Sequence, residues 1–530
     1  PHRRLIVILY LALSCGLAAL MFAIIGRDVL PKVNGGQFQV RLRAPEGTRI
    51  EATEAETFKA IGSIRKLVGA ENISVTSSYV GTHPSLFSTS PIYLWMAGPQ
   101  EAVIQIGLEE GFHADLDELK EKIRKKLAQT QPQLALSFEP IELTDKILSQ
   151  GSPTPVEVRV SGRDKVLNEE YAKKLAAKMK NISYLRDVQL GQSMHYPAIN
   201  IDIDRNRAAQ LGVDLTDISR SLVASTSSSR YTDKNIWVDE KAGYSYSVQV
   251  QIPESNMNSM QQLSEIPVLK NNARPVLSDV ATLTSSTTFG ETDNLGALPM
   301  LTVTANLNDK DLGTASEDVQ KAINSLGKLP RGLNVELIGL SDTLTDTLDS
   351  LQSGLLVAIV VIFLMLAANF QSFKVSGIVL VTVPAVILGS LTLLVITGST
   401  LNLQSYMGLI MSVGVSISNA VLLITNAEEI RLHNGNALVA AKDAAALRMR
   451  PIVMTALAMV VGMIPMASGL GEAGDQSSPL GRAVIGGLVA STFAALFILP
   501  LVFAWGQGKT GTQSVSLDPE DEESIHYIKA

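Results

Sequence analysis

Six uncharged apolar runs, one near the start and five in the second half, constrain this chain more than any other feature. They are Leu5–Ile25, Leu355–Ala368, Val375–Ile396, Tyr406–Ile424, Ile452–Ala467 and Ala483–Phe503. The first, "LIVILYLALSCGLAALMFAII", holds 21 residues without a charge, enough for a bilayer core that needs about 20. It is longer than the roughly 7–15-residue core of a signal peptide, so it reads as a retained helix. The shorter runs reach spanning length by extending a turn into flanking polar residues such as Ser353. In hydrocarbon each segment must satisfy its own backbone hydrogen bonds, which makes the helix the form for such runs. A mean hydropathy of +0.21 and a charged fraction of 18% fit a chain partly in lipid.

Positive charge orients the spans. Arg3 and Arg4, Lys374, and the group Arg431, Lys442, Arg448 and Arg450 fall on one side, expected to be cytoplasmic. Residues 29–350 and the loops "GSTLN" and "GLGEAGDQSSPLGR" fall on the other. An even number of spans returns both termini to the cytoplasm, and the end, "DPEDEESIHYIKA", reads as a solvated tail without a fixed fold. The chain starts at Pro1 rather than Met, which suggests a piece of something longer.

The outer region repeats strand then helix. Phe38, Val40 and Leu42 alternate, and "TRIE" at Thr48–Glu51 predicts a capping box opening a helix with Phe58, Ile61 and Val68 inward. The pattern returns with Ile104, Ile106 and Leu108 before Leu116, Leu119 and Ile123, and with Val156, Val158 and Val160 before Leu167, Tyr171 and Leu175. Ile199, Ile201 and Ile203 precede Leu215, Ile218 and Leu222. Leu301, Val303 and Leu307 precede Val319, Ile323 and Leu326. Five such units suggest two split βαβ, ferredoxin-like modules. Residues 223–294, rich in turns ("STSSSRYTDKN"), break the rhythm and read as an insertion. The expected fold class is a polytopic α-helical membrane protein, six transmembrane helices in a one-plus-five layout, with an α+β region of ferredoxin-like subdomains.

A P-loop, a nucleophile triad, a dinucleotide glycine fingerprint and an HExxH motif are all absent from the sequence. The net charge of −7 argues against a nucleic-acid binder, which shows a basic patch. One cysteine, Cys15, excludes a disulfide within the chain and a multi-cysteine zinc site. His2, His83, His113, His195, His433 and His526 are scattered without metal-ligand spacing and read as bystanders; no metal or cofactor is expected. An ion gradient is then the remaining energy source, and gradient coupling uses ionisable groups buried between membrane helices. None of the six runs contains one.

What the fourth run does contain is "GVSISNAVLLITN", with Ser418 beside Asn419. At 100° per residue Gly408, Ser412, Asn419 and Asn426 fall within about 40° of one another, which places Asn419 on the packed face. Gly408, Ser412, Ser416 and Ala420 form an i, i+4 ridge that lets another helix approach closely, and Ser418 and Thr425 lie on a neighbouring face. Two readings stand: interhelical hydrogen-bond glue, the commoner role, or the lining of a proton relay. Hydroxyls and amides can orient protons but hold no charge at neutral pH, so the chain alone should not be coupled. Tyr79, Phe87, Tyr93 and Trp95, in "SSYVGTHPSLFSTSPIYLWM", could line a pocket for amphiphiles, although core packing or loop anchoring is the commoner use. Met257 and Met260, three apart, read as packing rather than a soft-metal site.

Three longer stretches carry a resemblance: "DVLPKVNGGQFQVRLRAPEGTRIEATE", "GLIMSVGVSISNAVLLITNAEEI" and "RMRPIVMTALAMVVGMIPMASGLGEAGDQSSPLGRAVIGGLVASTFAALFILPLVFAW". They are similar to the resistance-nodulation-division (RND) transporters, and more narrowly to the C-terminal half of an inner-membrane efflux subunit. The resemblance implies a homotrimer in the bacterial inner membrane, drawing amphiphilic molecules from the periplasm or outer leaflet and driven by protons. It implies a periplasmic adaptor of the membrane-fusion type, an outer-membrane channel and, in the same or another chain, an N-terminal half. It divides the chain into a first transmembrane helix at 1–33, porter subdomains at 34–152 and at 153–222 plus 295–342, a docking insertion at 223–294, a five-helix bundle at 343–506 and a tail at 507–530. In drug-exporting relatives the N-terminal half supplies adjacent aspartates on its own fourth span. Here Ser418 stands where the C-terminal half often has lysine, Asn419 matches, Thr455 matches a relay threonine, and Arg448 an arginine at the cytoplasmic end. A half-length chain with a separate charged partner, or an uncoupled scaffold, are the alternative expectations.

Overall fold

The computed structural model describes residues 2–31, 35–81, 96–109, 112, 115–141, 147–149, 151–269, 273–469, 474–508 and 510. Helix α1 (His2–Ile24) comes first. The first soluble unit follows: β1 (Gln37–Arg43), α2 (Ile50–Val68), β2 (Ile73–Val80), β3 (Glu101–Leu108), α3 (Leu116–Thr130) and β4 (Ala135–Glu139). Its antiparallel sheet runs β2-β3-β1-β4, the ferredoxin-like order. Phe38, Val40, Leu42, Ile104 and Ile106 alternate onto one face and meet Ile64 and Ile123 from the helices.

Two expectations for α2 fail. Thr48 donates its hydroxyl to the Pro45 carbonyl, 2.6 Å, in the turn before the helix, so the N-cap is Arg49 with no side-chain bond and the capping box does not form. Phe58 is 63% exposed, because the helix lies close on the sheet through Thr53, Thr57, Ala60, Ile64 and Val68 instead.

The second unit begins β5 (Val156–Gly162), α4 (Lys165–Met179), β6 (Leu185–Leu190), and is then interrupted. The interruption holds β7 (Tyr196–Ile203), α5 (Arg205–Gln210), α6 (Leu215–Thr226), the hairpin β8 (Asn235–Val238) and β9 (Ser245–Val248), and α7 (Met260–Ser264) and α8 (Leu277–Val280), ending in β10 (Ala281–Thr288). Strand β7 pairs with β10 over eight positions, Tyr196–Ile203 against Thr288–Ala281. Ile218, Leu263, Val268, Leu277 and Val280 form its own small core, against which Met257 packs. The strand–helix unit at Ile199–Leu222 therefore belongs to this insertion and not to a ferredoxin-like sheet. The chain then returns through β11 (Asp293–Leu295), β12 (Leu298–Leu307), α9 (Leu312–Asn324) and β13 (Leu333–Ile338), closing a second sheet in the order β6-β12-β5-β13. That is again ferredoxin-like, split between its second and third strands. Four strand–helix units, not five, build the two modules.

The membrane half continues as α10 (Leu340–Phe370), α11 (Phe373–Leu380) and α12 (Val383–Ile396), α13 (Leu403–Asn434), α14 (Ala437–Ala467), and α15 (Gly474–Phe493) joined by a π-turn at Ala494–Ile498 to α16 (Leu499–Gly506). Six stretches are long and apolar enough to cross a membrane, one at the start and five after residue 340, as the runs predict. The helices overshoot the uncharged runs, carrying Asp342, Asp346 and Asp349 at the head of α10 and Glu428, Glu429 and Arg431 at the foot of α13.

Candidate functional site

Small residues decide how α13 sits. A Cβ on Gly487 of α15 would lie 2.6 Å from Ser390 Oγ of α12 and 2.7 Å from Ser412 Cβ of α13, and one on Gly408 would lie 2.6 Å from the Leu480 carbonyl. The three helices thus meet almost backbone to backbone, the close approach that small residues permit in lipid. The predicted ridge of Gly408, Ser412, Ser416 and Ala420 is buried there. Hydroxyls in this seam bond mainly to backbone: Ser412 to the Gly408 carbonyl and Ser390 to the Ala483 carbonyl, both 2.8 Å. Ser416 is 1% exposed and its hydroxyl has no partner among the described residues.

Asn419 is half-buried, at the margin of that ridge, and Ser418 is exposed on the opposite side. A helical wheel fixes the angles between residues but not which angle faces a neighbour. Helix α15 docks at Gly408 and Ser412, about two to three turns before Asn419 along α13, and at its own level Asn419 is only half-buried, a correction to its placement on the packed face. Neither Ser418 nor Asn419 forms a side-chain hydrogen bond among the described residues. Ser418 lies on a stripe with Met407, Met411, Gly414, Leu422 and Thr425, all exposed, which none of the described residues covers.

Thr455 on α14 is exposed too, its hydroxyl donating to the carbonyls of Pro451 and Ile452, each 3.0 Å. Arg448, about two turns toward the N-terminal end of α14, donates through Nη2 to Asn426 Oδ1 at 3.4 Å, and its Nε is buried with no partner among the described residues. Asn426 is a polar partner whose signal in the sequence is its wheel position beside Asn419. The structure places Ser418, Asn419, Thr455 and Arg448 on two adjacent helices, α13 and α14, and links only Arg448 to its neighbour helix through Asn426.

Of the aromatic candidates, Tyr79 lies on β2, an edge strand, and is 40% exposed. Phe87, Tyr93 and Trp95 lie outside the described residues. Met257 is packed and Met260 is exposed, with no shared pocket. No group of three or more His, Cys, Asp or Glu that could hold a metal ion is found among the described residues.

Charged groups cluster instead in the soluble half. Glu157 on β5 is 6% exposed and burial pushes its carboxyl above the usual range, against the opposing pull of Ser152 and Arg159. Where α1 meets the second unit, Asp311 caps α9 by accepting from Thr314 N–H and also from Arg27 N–H, while Asp28 accepts from Leu312 N–H. Backbone bonds from Asp28 to Leu401 and from Leu401 to Gly26 tie the same point to the loop before α13. Burial pushes the Asp311 carboxyl up, but its N–H donors outweigh that and hold it below the ordinary value.

Residues 2–506 match the family model described as AcrB/AcrD/AcrF. The chain is 25% identical over 512 residues to a cation efflux system protein CzcA of Alcaligenes sp. (strain CT14), covering 94% of this chain and 47% of that protein. It is 25% identical to the cobalt-zinc-cadmium resistance protein CzcA of Cupriavidus metallidurans over 94% of this chain and 47% of that one, and to the swarming motility protein SwrC of Bacillus subtilis over 91% and 44%. A crystal structure of a heavy metal efflux pump superposes with a TM-score of 0.82 at 23% identity, covering 96% of this chain and 51% of that one. The chain spans about half the length of the relatives it matches.

Proposed function

Because the chain belongs to the AcrB/AcrD/AcrF family of RND efflux transporters, we propose that it is the C-terminal half of a proton-driven efflux pump. The observation that carries this is the face of α13 that no described residue covers, where Ser418 lies among exposed Met407, Met411 and Leu422 and the half-buried Asn419 borders the stripe, with no ionisable group beside either. Polar side chains in a membrane helix favour a protein or water-lined neighbour over lipid. A matching half supplies both the missing charge and the cover, and coverage of 47% of the relatives' length leaves room for it. In this reading Asn419 and Ser418 hydrogen-bond carboxylates of the other half, and Thr455 and Arg448 continue the relay on α14. The ferredoxin-like units are the two porter subdomains. The insertion is the docking part toward an outer-membrane channel, and it takes in β7, α5 and α6 in addition to residues 223–294. A periplasmic adaptor and a homotrimeric inner-membrane assembly complete the pump.

For the cargo, exposed Tyr79 beside the aromatic-rich segment that follows β2 supports amphiphilic molecules. The names of the two CzcA relatives support a second reading, divalent metal cations. Accumulation assays in cells carrying the full pump or none separate the two. Retained amphiphilic dye without the pump supports the first, and cobalt, zinc or cadmium sensitivity without dye retention replaces it with the second.

A further inference from the structure

Helices α1, α12, α13 and α15 all have an end at one polar cavity of about 320 Å³, on the side that carries the soluble units. Asp28 lies just past α1, residues 398–402 turn from α12 into α13, and Asp475 and Arg482 belong to the first turns of α15. Asp309, Lys310 and Asp311, just before α9, close the cavity from the second ferredoxin-like unit. Arg482 directly precedes the uncharged run at 483–503. Its guanidinium therefore stands where hydrocarbon gives way to headgroups.

The charges around this space are of both signs, and they divide by what already holds them. Asp28 and Asp311 are committed to the fold, each accepting from backbone N–H groups at the start of α9, where the helix dipole favours a carboxylate. Arg482 is held by neutral acceptors: Nε donates to the Ala467 carbonyl at 3.0 Å and Nη1 to Ser399 Oγ at 2.6 Å. Those bonds fix the plane of the guanidinium without cancelling its charge. Lys310 is exposed, and neither cation has a carboxylate partner among the described residues. Asp309 and Asp475, both exposed, line the same cavity. With the two helix-capping carboxylates set aside, two cations and two carboxylates remain. A lone anion or a lone metal cation would upset that balance, and a zwitterion keeps it.

We propose that the cavity holds the headgroup of an aminophospholipid, its phosphate on Arg482 and Lys310 and its ammonium on Asp309 and Asp475. A planar guanidinium fork suits phosphate oxygens, and a primary ammonium brings three donors to the carboxylates. The acyl chains have a surface to follow, since Ile24 and Ile396, the last residues of α1 and α12, are 61% and 74% exposed. This lipid is a resident that touches both the bundle and the second unit, and is not cargo. The proposal goes beyond the efflux reading and needs only the membrane placement of the spans, so failure of coupling or cargo assays leaves it standing.

Free phosphoethanolamine carries the same phosphate and ammonium, and the test separates the two sources. The intact pump is reconstituted in nanodiscs of equal parts phosphatidylethanolamine and phosphatidylglycerol, and retained lipid is weighed by native mass spectrometry. Wild type should retain phosphatidylethanolamine in preference. Lys310→Gln and Arg482→Gln should each lower that retention about tenfold, the order of one hydrogen bond to a charged group. Asp309→Asn should bring the two lipids toward parity. Lys374→Gln, a cation at the opposite end of the bundle on α11, should change nothing. Equal retention of both lipids by wild type, or an equal loss in Lys374→Gln, overturns the proposal. So does wild-type retention in Lys310→Gln, whose exposed position outside the spans keeps the test decisive even if Arg482→Gln fails to assemble. Free phosphoethanolamine that displaces the lipid at equal concentration overturns the lipid as occupant and makes the ligand a soluble one.

Discussion

Asn419 and Glu157 show how differently one polar side chain behaves in two surroundings. Asn419 sits at the edge of a close-packed ridge with its amide unbonded among the described residues, open to a group that arrives from outside. Substituting Asn419→Leu keeps its bulk and removes both donor and acceptor. Efflux in the intact system should fall at least tenfold, about 1.4 kcal/mol of lost stabilisation, with assembly unchanged on native gels. Unchanged efflux would return Asn419 to simple packing. Glu157 is buried in the soluble half, and its folded carboxyl titrates above the unfolded one. Its contribution to stability is therefore full below the unfolded pKa and is lost as pH rises through the folded pKa. Glu157→Gln should raise the melting temperature at neutral pH and leave it unchanged well below the ordinary carboxylate range. A variant that melts alike to wild type at both ends would show that the desolvation is relieved by water. The sequence marks Asn419 as a candidate because it and Ser418 stand side by side in an otherwise uncharged, mostly apolar run. Glu157 gave no such signal, since Glu alternating with Val in a strand reads as solvent-facing until a second layer covers it.

At the scale of elements, helix α13 was legible in period and in the spacing of its small residues, because packing in lipid depends on backbone approach and the i, i+4 ridge encodes it. Which helices fill that ridge was not legible. Replacing Gly487 by Val puts a branched carbon where Ser390 and Ser412 already stand and should destabilise the bundle by about 1–3 kcal/mol or more. Gly462→Val, at a position with nothing within 4 Å, should leave thermal unfolding in detergent unchanged. Equal melting of the two variants would contradict the packing described here. Helix α2 carries the opposite lesson. Its apolar residues suggested Phe58 inward, but the fit to the sheet is set by the depth available, and that selects Ala60 and the threonines. Its start was misplaced for a local reason: the Pro45–Thr48 turn engages the hydroxyl that would have capped the helix.

At the scale of the whole molecule the proposed second half can be tested by mass. If this chain is half of a pump, antibody raised to residues 223–294 should detect, in source membranes, a band at about twice its 56.8 kDa. A band near the mass of this chain alone would instead mean a half-length protein with a separate charged partner. The sequence by itself determined the six spans, their one-plus-five division, the strand–helix rhythm and the lack of charge in the apolar runs. These follow from local rules: a bilayer demands a length of apolar helix, and a half-buried strand or helix demands its period. Only the tertiary structure decided that Ile199–Leu222 leaves the second sheet to join the insertion, that Asn419 lies at a margin with Ser418 uncovered, and that Lys310 and Arg482 line one cavity. Each of these depends on which distant surface arrives, and the energy of that arrival lies in contacts between residues far apart in the chain.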